Sequence, residues 1–166
     1  MTSPFTPALE LISSCVVGGL DLDVGLDATG AGYVLHSDTR AQRSVQWRKQ
    51  TVENNWVEGS FDISAVRANV IEPVSVWVHG SSNDDMQRRL SAVTDALAQP
   101  AFQVTWITGG TSKANGTKEV WDCSYSDYSI ESSGPMQVAL LSLLKISLNR
   151  RPRVTRTYSD GTTYVA

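Results

Sequence analysis

The sequence predicts an α+β fold: an antiparallel β-sandwich or barrel with one flanking α-helix at about residues 82–99, and a long β-hairpin at about 42–64. Three observations lead there. Most of the chain alternates apolar and polar residues with a period of two, which puts the apolar set on one face of half-buried strands. One segment, "SSNDDMQRRLSAVTDALAQP", carries a convincing helical stripe. Strands and helix do not alternate as βαβ units, so an antiparallel arrangement is favoured over a parallel sheet.

The elements follow in order. Residues 1–39 include "LDLDVGLDATGAGYVLH", in which Leu20, Leu22, Val24 and Leu26 alternate with aspartates and Gly25, as in a strand, before "DATGAG" turns the chain. Val45 and Trp47 share one phase, and Val57, Gly59, Phe61 and Ile63 resume an odd-numbered one. The polar interval between them reads as the tip of a hairpin around Asn54 and Asn55, residues that tolerate turn geometry. A further strand is expected in "EPVSVWVHG", where Pro73 sits at the start and costs the ladder least.

In the helix, Met86, Leu90, Val93 and Leu97 make the apolar stripe. Ser82 or Asn83 can cap it, Asp84 and Asp85 suit the positive end of its dipole, and Pro100 stops it. "FQVTWIT" and "EVWDCSYSDYSI" alternate again, with Phe102, Val104 and Trp106 in one strand and Val120 with aromatic partners in the next. "PMQVALLSLLKISLN" reads as one long strand because Met136, Val138, Leu140, Leu144, Ile146 and Leu148 share a phase; its leucine and alanine content leaves a helix as the alternative. The tail "TYSDGTTYV" holds Asp-Gly between two strand-like arms, a strong hairpin signal.

A chain of 166 residues fits one domain, 1–166, which buries roughly 70% of the surface of its unfolded form. With 41% hydrophobic and 19% charged residues, burial can offset the entropy lost on folding. A formal charge of −3 offers no excess of positive charge to collect phosphates, which disfavours specific nucleic-acid binding. The one basic cluster is "NRRPRVTR", read as a solvated strand end or subunit contact, with a polyanion site as the alternative. No segment approaches the ~20 apolar residues of a membrane span. The first residues lack the basic region of a signal peptide.

No chemistry-bearing constellation stands out, and no cofactor is expected. His36 and His79 stand alone, without a nucleophile elbow or a metal-binding helix. Cys15 and Cys123 are far apart and lack zinc-ligand spacing, so buried reduced thiols are expected. Asp21 with Asp23 and Asp84 with Asp85 have structural explanations, and no calcium loop is present. The catalytic and metal sets are therefore read as empty. Trp47, Trp77, Trp106 and Trp121 fall in predicted strands, while Trp56 lies by the hairpin tip, where it could stack on a sugar ring.

The series "WRKQTVENNWVEGSF", "PVSVWVHG", the capped helix through "AFQVTW", "WDCSYSDYSI" and "ALLSLLKISLNRRP" resembles minor tail proteins of long-tailed bacteriophages. More broadly, it is similar to the tail-tube fold shared by tube subunits and the N-terminal domains of distal tail proteins. The resemblance covers about residues 40–153 and leaves 1–39 as an arm, a docking segment or an added strand pair. It implies a non-enzymatic virion component, assembled in the host cytoplasm as a ring, usually six-fold, around the DNA channel. Its partners would be further copies of itself and the tube, tape-measure, hub or baseplate proteins, with DNA passing through the lumen without specific binding. A tube subunit, a tail terminator or a carbohydrate-binding β-sandwich module are the other readings. The candidate interface residues are the hairpin tip, Thr51, Val52, Glu53, Asn54, Asn55 and Trp56, and the arginines Arg150, Arg151 and Arg153.

Overall fold

Alternating valines and leucines build the centre of this protein. The structure is a computed structural model that describes residues 14–36, 47–53, 60–108, 115–132 and 134–165. Its strands are β1 (Ser14–Val17), β2 (Leu20–Asp21), β3 (Gly25–Leu26), β4 (Gly32–Leu35), β5 (Trp47–Glu53), β6 (Ser60–Arg67), β7 (Val70–His79), β8 (Phe102–Thr108), β9 (Thr117–Glu131), β10 (Leu141–Thr157) and β11 (Thr163–Val165). The helices are α1 (Asn83–Leu97) and the short α2 (Gly134–Val138). The strands pair antiparallel in the order β2-β1-β8-β9-β10-β7-β4-β3, with β11 added to the end of β10. The α+β class is as predicted, and the large sheet is an open half-barrel. β5 and β6 form a separate two-stranded sheet.

One face of the large sheet is apolar and α1 lies on it. Val74, Val76 and Val78 of β7, Leu144, Ile146 and Leu148 of β10, and Phe102, Val104 and Trp106 of β8 are all buried there. The helical stripe meets them: Met86, Leu90, Val93 and Leu97 are buried, as their spacing requires. Ser82 caps the helix by accepting from the Asp85 amide at 3.2 Å. The Asp85 carboxylate in turn accepts from the Ser81 amide and from Arg89 Nε, which places negative charge at the helix start. Gly80 leaves no room for a side chain, since a Cβ there would lie 2.6 Å from Met86 Cβ.

Three expectations need correction. The segment from Leu20 to Leu26 is two short strands around a turn: Asp21 accepts from the Asp23 amide, Leu22 is buried, and Val24 and Leu26 are exposed. The long strand expected from Met136 begins at Leu141, because Pro135 opens α2 and Leu140 takes a left-handed φ of 51° that turns the chain. In β9 the inward row is Glu119, Trp121 and Cys123, so Val120 stands on the other face. Of the readings left open for residues 1–39, residues 14–36 follow that of added strands: β1 pairs with β8 and β4 with β7, so this segment supplies both edges of the half-barrel.

Candidate functional site

The hairpin expected at about 42–64 is present as β5 and β6. Thr51 pairs with Asp62, Val52 with Phe61 and Glu53 with Ser60, after a register slip between Gln50 and Thr51. Asn54, Asn55 and Trp56 lie outside the described residues. Only Ala68 and Asn69 separate β6 from β7, so a two-residue link ties this small sheet to the large one.

The arginine cluster divides. Arg150 continues the inward phase of Leu144, Ile146 and Leu148 and is buried. Its Nε and Nη2 donate to Glu72 Oε1 at 2.9 and 2.7 Å, and its guanidinium lies 5.4 Å from the Trp121 ring centre. As an interface candidate it is therefore taken up inside the subunit, since a buried guanidinium needs its carboxylate close by. Arg151 and Arg153 remain exposed. They flank Pro152 on a bulge: from Arg150 to Val154 β10 advances four positions while β9 advances two, from Cys123 to Trp121. A bulge tolerates the missing proline amide and re-aims its neighbours. Arg153 reaches a small polar cleft of about 220 Å³ beside Gln103, Asp122 and Thr155.

A second ion pair, of buried Glu119 with half-buried Arg156, lies one strand over. Arg156 Nε donates to Glu119 Oε1 at 2.7 Å, and Trp121 Nε1 donates to Glu119 Oε2 at 3.3 Å. Trp121 stacks on Trp106 with ring centres 5.8 Å apart. Both indoles are buried, which removes them from any sugar-stacking surface; Trp56 lies outside the described residues. The sequence reading missed Glu72, Glu119 and Arg156. The signal available was parity, because each falls in the inward phase of an otherwise apolar row.

A third feature is an unpaired sheet edge. β8 begins at Phe102, opposite Cys123, so β9 from Ser124 to Glu131 pairs with β10 alone among the described residues. Tyr125, Tyr128 and Ile130 are exposed along it. Beside this edge, Met86 and Leu90 of α1, Ile130, Gln137, Val138 and Ser142 line an open cleft of about 610 Å³.

The remaining chemical groups have structural settings. The His36 ring packs on Trp77 at 5.8 Å and its amide donates to the Ser75 carbonyl. Partial burial lowers the pKa of His79. Cys15 and Cys123 are free, buried thiols, and burial pushes both upward, Cys123 to about 12. Among the described residues no group of three or more His, Cys, Asp or Glu is placed to hold a metal, and no helix is long and apolar enough to cross a membrane.

The antiparallel half-barrel with α1 packed on its apolar rows has a counterpart among solved structures. The chain is similar to the Dit protein (gp 19.1) of phage SPP1, described as a paradigm of the hub adsorption apparatus in phages infecting Gram-positive bacteria. The TM-score is 0.58 at 12% sequence identity, over 87% of this chain and 52% of that one. The shared property is the fold. The chain thus spans about half the length of that protein. No protein-family model and no curated sequence matches it.

Proposed function

We propose that this chain is a non-enzymatic structural component of a bacteriophage tail, a distal or minor tail protein that assembles with copies of itself into a ring around the DNA channel. The observation that carries the reading is the likeness of nearly the whole described fold to a phage hub protein. Two features of the chain support it. The β5–β6 hairpin stands as its own small sheet, and among the described residues β9 leaves an edge unpaired. Unpaired edges favour addition of another chain, and a rotationally closed assembly covers them.

The partners of such a ring are neighbouring copies, the tail tube, the tape measure and the hub or baseplate proteins, in the virion tail. The net charge of −3 suits a channel through which DNA slides without adhering. Thr51, Val52 and Glu53 with the adjoining tip, and Arg151 and Arg153 on the β10 bulge, are the surfaces assigned to contacts with neighbours. Light scattering after size exclusion, across a concentration series and with negative-stain images of each peak, tests the reading. Rings of one fixed multiple, six by preference, are expected. A chain that stays monomeric at every concentration, alone and mixed with tail proteins, overturns it.

A further inference from the structure

We infer that Asn115 is a site of spontaneous covalent modification: the backbone nitrogen of Gly116 attacks the Asn115 carboxamide, and the chain passes through a succinimide to aspartate and isoaspartate. The inference concerns a single chain and does not depend on the ring reading.

The chemistry needs only adjacent groups and water. Gly116 N forms a bond to Asn115 Cγ, its proton passes to the leaving nitrogen, and ammonia departs as the cyclic imide closes. Water then opens the imide at either carbonyl. One opening gives aspartate; the other routes the main chain through the β-carbon as isoaspartate. Because attack is intramolecular, its rate depends on whether the backbone can bring nitrogen and carbonyl carbon together. Glycine hinders this least, since it has no Cβ beside the attacking nitrogen and the widest choice of backbone angles.

In two places the sequence puts Asn or Asp directly before glycine, Asn115–Gly116 and Asp160–Gly161. The fold treats them in opposite ways. Asp160–Gly161 forms the turn between β10 and β11, and both reacting groups are engaged there. Asp160 Oδ1 accepts from the Thr162 amide and hydroxyl at 2.8 and 2.6 Å. These bonds, the hydroxyl's first, hold its carboxyl below the usual carboxylate range, in the ionised form that repels a nucleophile. The Gly161 amide donates to the Tyr158 carbonyl at 2.9 Å, and Gly161 takes a left-handed φ of 83°.

Asn115 is exposed at the root of the connection from β8 to β9. The ladder of β9 with β8 ends at Thr108–Thr117 and that with β10 at Thr157–Lys118, so Gly116 lies beyond both. Among the described residues no backbone carbonyl accepts from the Gly116 amide. The other described asparagines are poorly placed. Asn69 precedes Val70, whose branched side chain crowds the nitrogen, and Asn83 opens α1, where the backbone is fixed. Asn149 lies inside β10 and donates to Ser124 Oγ at 3.2 Å. Conversion at Asn115 adds a negative charge to a chain of formal net charge −3, and isoaspartate inserts an extra main-chain carbon beside the Thr108–Thr117 rung.

Ageing of the protein in mildly alkaline buffer, folded and in urea, tests the inference through mass spectrometry and enzymatic methylation of isoaspartate in tryptic peptides. The peptide Ala114–Lys118 reports on Asn115, and Thr157–Ala166 on Asp160. Folded Asn115 is expected to convert within about threefold of its rate in urea, whereas urea speeds isoaspartate formation at Asp160 by at least about tenfold. Gly116→Ala, with an unchanged melting profile, slows conversion of the folded chain by at least about tenfold. If urea speeds both sites alike, or neither, the fold does not distinguish them and the inference falls. Conversion at the parent rate in Gly116→Ala overturns the assigned route.

Discussion

Arg150 donates from two nitrogens to a single oxygen of Glu72, at 2.9 and 2.7 Å, with both side chains buried between β10 and β7. The two are diagonal neighbours in the sheet, since Glu72 lies opposite Leu148 and Arg150 opposite Val70. The Arg150 guanidinium lies 5.4 Å from the ring centre of Trp121, which stacks on Trp106. Burying either charge alone is costly, so each is tolerated because the other is there.

Removing one partner is therefore expected to hurt more than removing both. Arg150→Met should destabilise the chain by about 3–5 kcal/mol, because it removes two charge-assisted hydrogen bonds from the buried Glu72 carboxylate, while Arg150→Met with Glu72→Leu should recover most of that loss. Urea unfolding of the wild type, the two single variants and the double variant checks this. Near-additive losses would show that the two groups do not act as a pair.

The stacked indoles should respond unequally. Trp121 Nε1 donates to Glu119, whereas Trp106 Nε1 is buried without a hydrogen-bond partner. Trp121→Phe removes a donor to a buried carboxylate; Trp106→Phe removes an unsatisfied donor and so regains about 1–3 kcal/mol of desolvation cost against the lost volume. Thermal melts should place Trp121→Phe below Trp106→Phe by several degrees. The reverse order would contradict the assigned hydrogen bond.

Alkaline pH should weaken the fold through its two cysteines. Burial holds the Cys123 thiol at about 12 against an ordinary value of 9.0, with a smaller downward pull from Arg150, and burial raises Cys15 as well. Above pH 9 the unfolded chain loses these protons and the folded chain keeps them, so the unfolded state binds fewer protons and stability falls as pH rises towards 12. The slope is up to about 1.4 kcal/mol per pH unit for each thiol. Stability curves from pH 8 to 11 for the wild type and for Cys15→Ala with Cys123→Ala measure it; a slope unchanged in the double variant would assign the loss elsewhere.

The turn from β7 into α1 is the most constrained connection. Ser82→Ala removes the cap to the Asp85 amide and should cost about 1 kcal/mol. Gly80→Ala should cost about 1–3 kcal/mol, since the added methyl would meet Met86 Cβ at 2.6 Å and the Met86 nitrogen and Ser82 oxygen at 2.8 Å. Melting temperatures of the two variants check both values. A neutral Gly80→Ala would mean that the helix start shifts freely.

Local patterns were legible in the sequence wherever their cause is local. The limits of α1 follow from Met86, Leu90, Val93 and Leu97 at helical spacing and from a cap at Ser82, all within one short segment. The strand Phe102–Thr108 and the turn at Asp160–Gly161 follow from alternation and turn chemistry in the same way, whereas in Thr117–Glu131 the strand was legible but its inward face was not, because that face carries Glu119. Met136 to Leu140 misled because their parity matches that of Leu144 to Leu148, and parity does not distinguish a strand from a turn of helix opened by Pro135.

Tertiary structure decided what depends on a partner distant in the chain. Arg150 has the same parity as the leucines before it, and its burial is supported by the Glu72 carboxylate, 78 positions earlier, which accepts from it. Residues 14–36 became edges of the half-barrel because β8 and β7 had free sides to receive them. Among the described residues, β9 has an open stretch because β8 starts at Phe102 and reaches no further than Cys123. The period of a strand is set by its own backbone, whereas its neighbours, its register and its unpaired edges are set by hydrogen bonds to other segments, and these form only when the whole sheet does.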